Sequence, residues 1–366
     1  MTAVDTKMSV VGYVSTVTAS IVADALFVWP LHVVVAAGQN AILAVLCIGG
    51  WAMTIAGLHT VHRPQPQWVR QVWTIVDVMG WILLWSIDAV MVVSLLSMLK
   101  TFYFFETPEW ALLLPFCAVV GWGASKPRDT VHSLTTFWVP LLFIGSILIV
   151  AVAMGNIQYP RALIPNQVVS VRPVFRAIQV MAYVVTPIGV TLRGIASEVQ
   201  AAPTGLVRVL GPLLAWLFLV LLYLLVVGTL GPSALVHLRW PVVFMLDQVT
   251  LDSAFFVSRV GIAVIFGWTM GLALGFMIHV DVMAGGLARL WPNPSARWLV
   301  AGGASIGWYL AALGIAAPAM ASHVLLVFLD PLAVGYLLTE GALLLTTRVT
   351  MLWGAGSRSR TIDERD

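Results

Sequence analysis

Charge is what this chain has least of. Only 10% of its 366 residues are Asp, Glu, Lys or Arg, while 60% are hydrophobic. A soluble globular domain carries about 25% charged residues. Mean hydropathy is +0.97, too apolar a surface to fold in water, so lipid is the expected solvent for most of the chain. Cysteine is nearly absent as well. Cys47 and Cys117 both lie in apolar runs and read as small buried hydrophobes, neither a disulfide nor a metal pair. CxxC, HExxH, Walker A and GxGxxG patterns are missing, which removes the usual signatures of zinc, nucleotide and dinucleotide chemistry. No cofactor, no metal and no nucleic-acid partner is expected, nor is a membrane-embedded enzyme, since no nucleophile–base pair gathers near one interface. The first apolar stretch lacks a basic leader region and a cleavage site, so it reads as a retained span.

What is present is a series of long apolar runs. A membrane-crossing helix needs about 20 mostly apolar residues. Ten segments meet or approach this: about 10–36, 40–59, 75–99, 109–124, 134–154, 174–193, 207–229, 258–281, 297–318 and 324–347. The first is long and interrupted, as one broken helix would be. With the N-terminus inside, thirteen of the 19 Lys and Arg residues fall on the cytoplasmic side, in line with the positive-inside rule. Ten spans then put both termini in the cytoplasm. The expected architecture is all-α integral membrane, a single domain over 1–353 followed by a polar tail over 354–366. Within the outside loop Pro232–Val257, the segment Trp240–Val249 reads as an interfacial helix. Trp240 and Trp110 are expected at headgroup level.

Ten spans invite the five-plus-five inverted repeat of many secondary transporters, with halves over about 9–154 and 174–347. In that design the first helix of each half, spans 1 and 6, is broken near the bilayer midplane and its exposed ends hold the ligand. Val22-Ala23-Asp24-Ala25 and Thr186-Pro187-Ile188-Gly189 occupy the corresponding places. Pro187 removes a helical hydrogen bond and is expected to break or kink its span.

Several polar residues stand out against this background. A carboxylate at mid-span costs about 2.5–3.5 kcal/mol on insertion scales, so it should face the protein interior or water. Asp24 and Asp88 are candidates to bind a ligand amine or a cation. The competing readings are, for Asp24, an acid paired with a Ser or Thr such as Thr18 or simply protonated, and, for Asp88, helix-bundle glue. Glu340 is a candidate for proton or ion coupling, with pairing to a polar neighbour as its plainer reading. Ala23, Ala25, Thr186 and Gly189 line the two breaks, and Trp268 could wall a pocket or simply pack. Asp77 and Arg193 read as snorkelling residues near span ends. His279 and Asp281 read as an interfacial pair. The spacings Gly271-x-x-x-Gly275 and Gly303-x-x-x-Gly307 permit close helix approach.

Between residues 228 and 268 the chain reads Gly-Thr-Leu-Gly-Pro (Gly228 to Pro232), Arg239-Trp240-Pro241, Phe255-Phe256-Val257-Ser258-Arg259, and then Trp268. Together with Phe27-Val28-Trp29-Pro30 and Phe105-Glu106-Thr107-Pro108, this order and spacing resembles the spore germination permeases. These are the B subunits of germinant receptors, within the amino acid–polyamine–organocation transporter superfamily. The resemblance spans about Ser9 to Trp353. It implies a small nutrient ligand, an amino acid, bound between spans 1, 6, 3 and 8. It also implies receptor A and C subunits as partners and the spore inner membrane or the bacterial cell membrane as location. The chain departs from the family pattern in having Asp24 beside the first break. The rival reading is an autonomous amino acid or cation-coupled transporter.

Overall fold

The computed structural model describes residues 8–25, 29–59, 67–155, 157–166, 168–195, 205–248, 260–293, 295–315 and 318–363. Phe27, Val28 and the Phe255–Arg259 motif lie outside these segments.

Helices account for the described chain, and no strand occurs among the described residues. In order they are α1 (Val10–Ala25), α2 (Trp29–Ala37), α3 (Ala41–Leu58), α4 (Gln67–Phe102), α5 (Glu109–Ser125), α6 (Arg128–Met154), α7 (Val171–Gln179), α8 (Ala182–Ile195), α9 (Gly205–Leu230), α10 (Pro232–Leu235), α11 (Pro241–Gln248), α12 (Val260–Leu290), α13 (Ala296–Gly314), α14 (Pro318–Val324) and α15 (Asp330–Asp363). A π-helical turn, Leu325–Leu329, joins the last two. Backbone polar groups cannot stay unpaired in hydrocarbon, which is why such apolar runs fold as helices. Each of the ten predicted segments contains helix. By length and apolarity alone, six helices among the described residues can cross a membrane, or seven if α7 and α8 count as one bent span. The protein is thus an all-α, multi-pass membrane protein.

α1 occupies the centre. It packs against α6, α8, α9 and α12, and its Ser15, Thr16, Thr18, Ser20 and Asp24 are all buried. The outer helices show the reverse pattern: Trp122, Phe137, Ile144, Trp298 and Ile306 are exposed. An apolar rim around a polar centre is the distribution that lipid favours, because exposed apolar side chains cost nothing against acyl chains.

The break expected in the first span, between Ala25 and Trp29, lies outside the described residues. The break expected in span 6 is not where Pro187 predicts it. α8 runs unbroken through Pro187, and the 48° bend falls between Gln179 and Ala182. Interior proline is tolerated in a packed membrane helix because neighbouring groups satisfy the freed backbone. The carbonyl that Pro187 leaves without its helical donor is that of Tyr183; the Thr186 hydroxyl donates one residue earlier, to the Ala182 carbonyl, at 3.0 Å.

Three other expectations need correction. Cys47 is exposed, on the outer face of α3, whereas Cys117 is buried. Trp240 is buried among α11 residues such as Val242 and Leu246 and does not face outward, although Trp110 does. α15 continues as helix to Asp363, so most of the predicted tail is an extension of the last helix. The loop before α7 is fastened at two points. The backbone N–H groups of Gln158 and Tyr159 donate to the Gly228 carbonyl at 3.0 and 2.8 Å, and the Asn166 N–H donates to Asn40 Oδ1 at 3.0 Å. Tyr159 lies over Gly231, whose φ of +73° no side chain would accept easily.

Candidate functional site

Close helix approach builds the centre. A Cβ on Gly275 would lie 2.2 Å from the Ala23 Cβ and 2.9 Å from the Ala19 carbonyl oxygen, so only glycine lets α12 touch α1 there. One turn further along α12, His279 meets Ser20. The predicted Gly271–Gly275 seam is therefore a packing device, and only its second glycine touches α1. A Cβ on Gly303, by contrast, would meet nothing within 4 Å. Gly275→Ala is expected to lower thermal stability by about 1–3 kcal/mol through overpacking, while Gly303→Ala leaves it unchanged or slightly higher. Melting curves of the two purified variants read this directly, and equal effects would refute the seam.

At this junction four helices contribute one polar chain. Thr191 Oγ1 on α8 lies 2.7 Å from Ser20 Oγ on α1, which lies 2.9 Å from His279 Nε2 on α12. His279 Nδ1 lies 2.9 Å from Asp88 Oδ1 on α4. With the ring proton assigned to Nδ1 from this network, His279 donates to Asp88 and accepts from Ser20. Asp24 completes the group. Both of its carboxylate oxygens, and Oδ2 of Asp88, are buried without a hydrogen-bond partner. Asp24, Asp88 and His279 are all 0% exposed. Thr18, the partner expected for Asp24, donates instead to the Gly211 carbonyl at 3.2 Å. The interfacial reading of His279 and Asp281 fails. Both are fully buried, and they serve different clusters.

Asp281 accepts from Arg128 at 2.6 Å and from Arg297, tying α12 to the starts of α6 and α13. A third cluster centres on Arg193. Its guanidinium pairs with Asp77 on α4 at 2.5 Å and with Glu340 on α15. It also donates to the Tyr336 hydroxyl and sits 5.0 Å over the Trp73 ring. His59, capping α3, joins Glu340 at 3.3 Å. Arg193 and Asp77 therefore do not snorkel. They, Glu340 and His59 form one inward-facing ionic knot that ties together α3, α4, α8 and α15. Eleven residues of α4 separate Asp77 from Asp88, about 16 Å at helical rise, so the knot and the central group are stacked along the bundle.

A family model described as "Spore germination protein" matches residues 67–312. The chain belongs to the spore germination permease family. No curated protein matches it. The matched range holds Asp88, Thr186, Gly189, Trp268 and His279, whereas Asp24 and Glu340 lie outside it. Family membership makes the chain a germination-related membrane protein of permease type.

The site residues predicted for such a permease separate into groups. Asp24 and Asp88 come together at the centre. Ala23 and Ala25 are buried in α1, with Ala23 packed on Gly275. Thr186 spends its hydroxyl proton on its own helix. Gly189 is needed by the ionic knot: a Cβ there would lie 1.8 Å from Glu340 Oε1. Trp268 lines a cavity of about 50 Å³, together with Thr18, Val22, Phe143, Phe218 and Gly271. That cavity lies between α1, α6, α9 and α12, and neither Asp24 nor Asp88 lines it. At this volume it is far below the roughly 300 Å³ of a typical ligand pocket. Sequence reading did not place His279 in this central group, where it bridges Ser20 and Asp88.

Proposed function

We propose that the chain is the membrane-embedded subunit of a spore germinant receptor. It binds a small nutrient, an amino acid, next to the interrupted α1 and passes the resulting conformational change to the A and C receptor subunits in the spore inner membrane. In this reading the bundle is a ten-span, five-plus-five inverted-repeat transporter fold, with α1–α2 and α7–α8 as its broken helices and both termini cytoplasmic. The nutrient's body lies against Trp268, and the bundle opens to widen the cavity there. Asp24 and Asp88 attract the cationic partner, either the nutrient's ammonium group or an accompanying ion.

One observation carries the reading. Asp24 and Asp88 meet in a fully buried place with no arginine or lysine partner among the described residues. Such a place favours positive charge. Binding of a ligand to one conformation shifts the population toward it, which is all that a receptor without covalent chemistry needs.

The same observation favours a second reading, an autonomous cation-coupled amino acid transporter. There, release of Glu340 from Arg193 would couple ion or proton movement to opening of that end of the bundle. A thermal-shift screen of the purified subunit together with its A and C partners, against amino acids, nucleosides and sugars with and without sodium, tests the first reading. A ligand at 100 times its Kd stabilises by about 2.7 kcal/mol, and a selective shift lost in Trp268→Ala is the expected result. Failure of every solute to shift the intact complex would sink the receptor proposal. Nutrient flux into liposomes by the subunit alone would favour the transporter.

A further inference from the structure

We infer that Asp24, Asp88 and His279 form a binding site for one divalent first-row transition ion, of the Mn2+ or Zn2+ kind, inside the membrane-spanning bundle. The inference rests on the reading of the two central carboxylates as a cation site, and it names the cation.

The three side chains each offer one ligand atom, and these atoms all lie within 4.8 Å of one another. Metal–nitrogen and metal–oxygen bonds of about 2.0–2.2 Å put neighbouring ligand atoms roughly 3–4 Å apart, so the group needs only a small contraction to close on an ion. Among the described residues the surroundings supply no other cation. Every other acid in the two neighbouring clusters has an arginine: Asp77 and Glu340 have Arg193, and Asp281 has Arg128 and Arg297. Asp88 has His279 and the neighbouring Asp24 carboxyl, and Asp24 has no basic or hydroxyl partner. Asp330 is likewise unpartnered but stands apart from this group. An isolated buried carboxylate is costly unless it is paired or coordinates a metal. Full burial of all three side chains suits a bare ion better than the body of an organic ligand.

The donor set distinguishes the kind of ion. Two carboxylate oxygens alone would suit Mg2+ or Ca2+, whereas an imidazole nitrogen beside them selects for a transition ion. His279 is prepared for that role. If the ion replaces the Nδ1 proton that now lies between His279 and Asp88, the ring must carry its proton on Nε2. That N–H then has an acceptor in place, the Ser20 carbonyl oxygen at 3.2 Å. A ligating histidine whose other nitrogen donates to a backbone carbonyl is the usual outer-shell arrangement.

The test uses the full-length chain, purified in detergent without a histidine tag and stripped of metal. Mn2+ is titrated and followed by the loss of its free EPR signal. Bound Zn2+ is measured by elemental analysis after dialysis. The expected result is about one ion per chain. Asp24→Asn and His279→Gln each weaken binding at least tenfold, while Ser20→Ala, which keeps the carbonyl that accepts from Nε2, changes it by no more than about threefold. His237→Gln, at an exposed histidine, leaves binding unchanged. Variants are compared only where size exclusion gives a single peak, and Asp88→Asn serves if either ligand variant does not. The inference is overturned if the monodisperse native chain binds neither ion. It is also overturned if binding persists in both Asp24→Asn and His279→Gln. A sodium-dependent nutrient shift in protein that binds neither Mn2+ nor Zn2+ would leave the cation-site reading standing and remove the transition ion.

Discussion

Replacing Arg193 by methionine is expected to be the most damaging single change in the bundle. The guanidinium is the shared partner of Asp77 and Glu340, and the Glu340 side chain is 0% exposed. Removing one member of a buried ion pair costs about 3–5 kcal/mol, because the partner is left buried and uncompensated. Two carboxylates are left here, so the upper end applies. At roughly 2 °C per kcal/mol for a chain of this size, the melting midpoint in detergent falls by about 10 °C. The informative companion is Arg193→Met combined with Asp77→Asn and Glu340→Gln. With the charges gone together, most of the stability returns, since residues of one network are non-additive. If the triple variant is as unstable as the sum of its parts, the knot is not a unit and its role as a lock between α3, α4, α8 and α15 is wrong.

Asp24→Asn is expected to do the opposite. No hydrogen bond to a hydroxyl, amide or cationic donor is lost, and one of two facing buried carboxyl groups is removed. The metal-free protein should melt at the same temperature or a few degrees higher. At the same time its response to nutrient or ion should fall by tenfold or more. A site that holds like charges together without a ligand is strained for function, and relieving the strain trades activity for stability. Melting curves with and without ligand measure both effects on one sample. A midpoint several degrees lower in the variant would show that Asp24 is structural, with a partner it must keep.

How much of this was legible in the chain depended on whether the signal was local. Apolar runs are local, so the all-helical, multi-pass character could be read from hydropathy, and Asp24 and Asp88 stood out as charges in apolar surroundings. The bend between Gln179 and Ala182 was not legible, because Pro187 is the louder signal. His279 was misread together with Asp281 because the two are close in sequence. Two residues apart on a helix are about 200° apart around its axis, so neighbours at that spacing face opposite sides. That geometry already separated them: His279 toward α1 and α4, Asp281 toward α6 and α13. Arg193 could not be placed at all, since its three partners come from residues 77, 336 and 340, and nothing in a single sequence pairs them.

The central group also sets an order of events during synthesis. Asp24 leaves the ribosome ahead of His279, which follows 255 residues later by the numbering. At 5–20 residues per second the delay is roughly 10 to 50 s. Through that interval α1 carries its carboxylate without α12 beside it. The packing of α1 is therefore incomplete until α12 arrives to close over it.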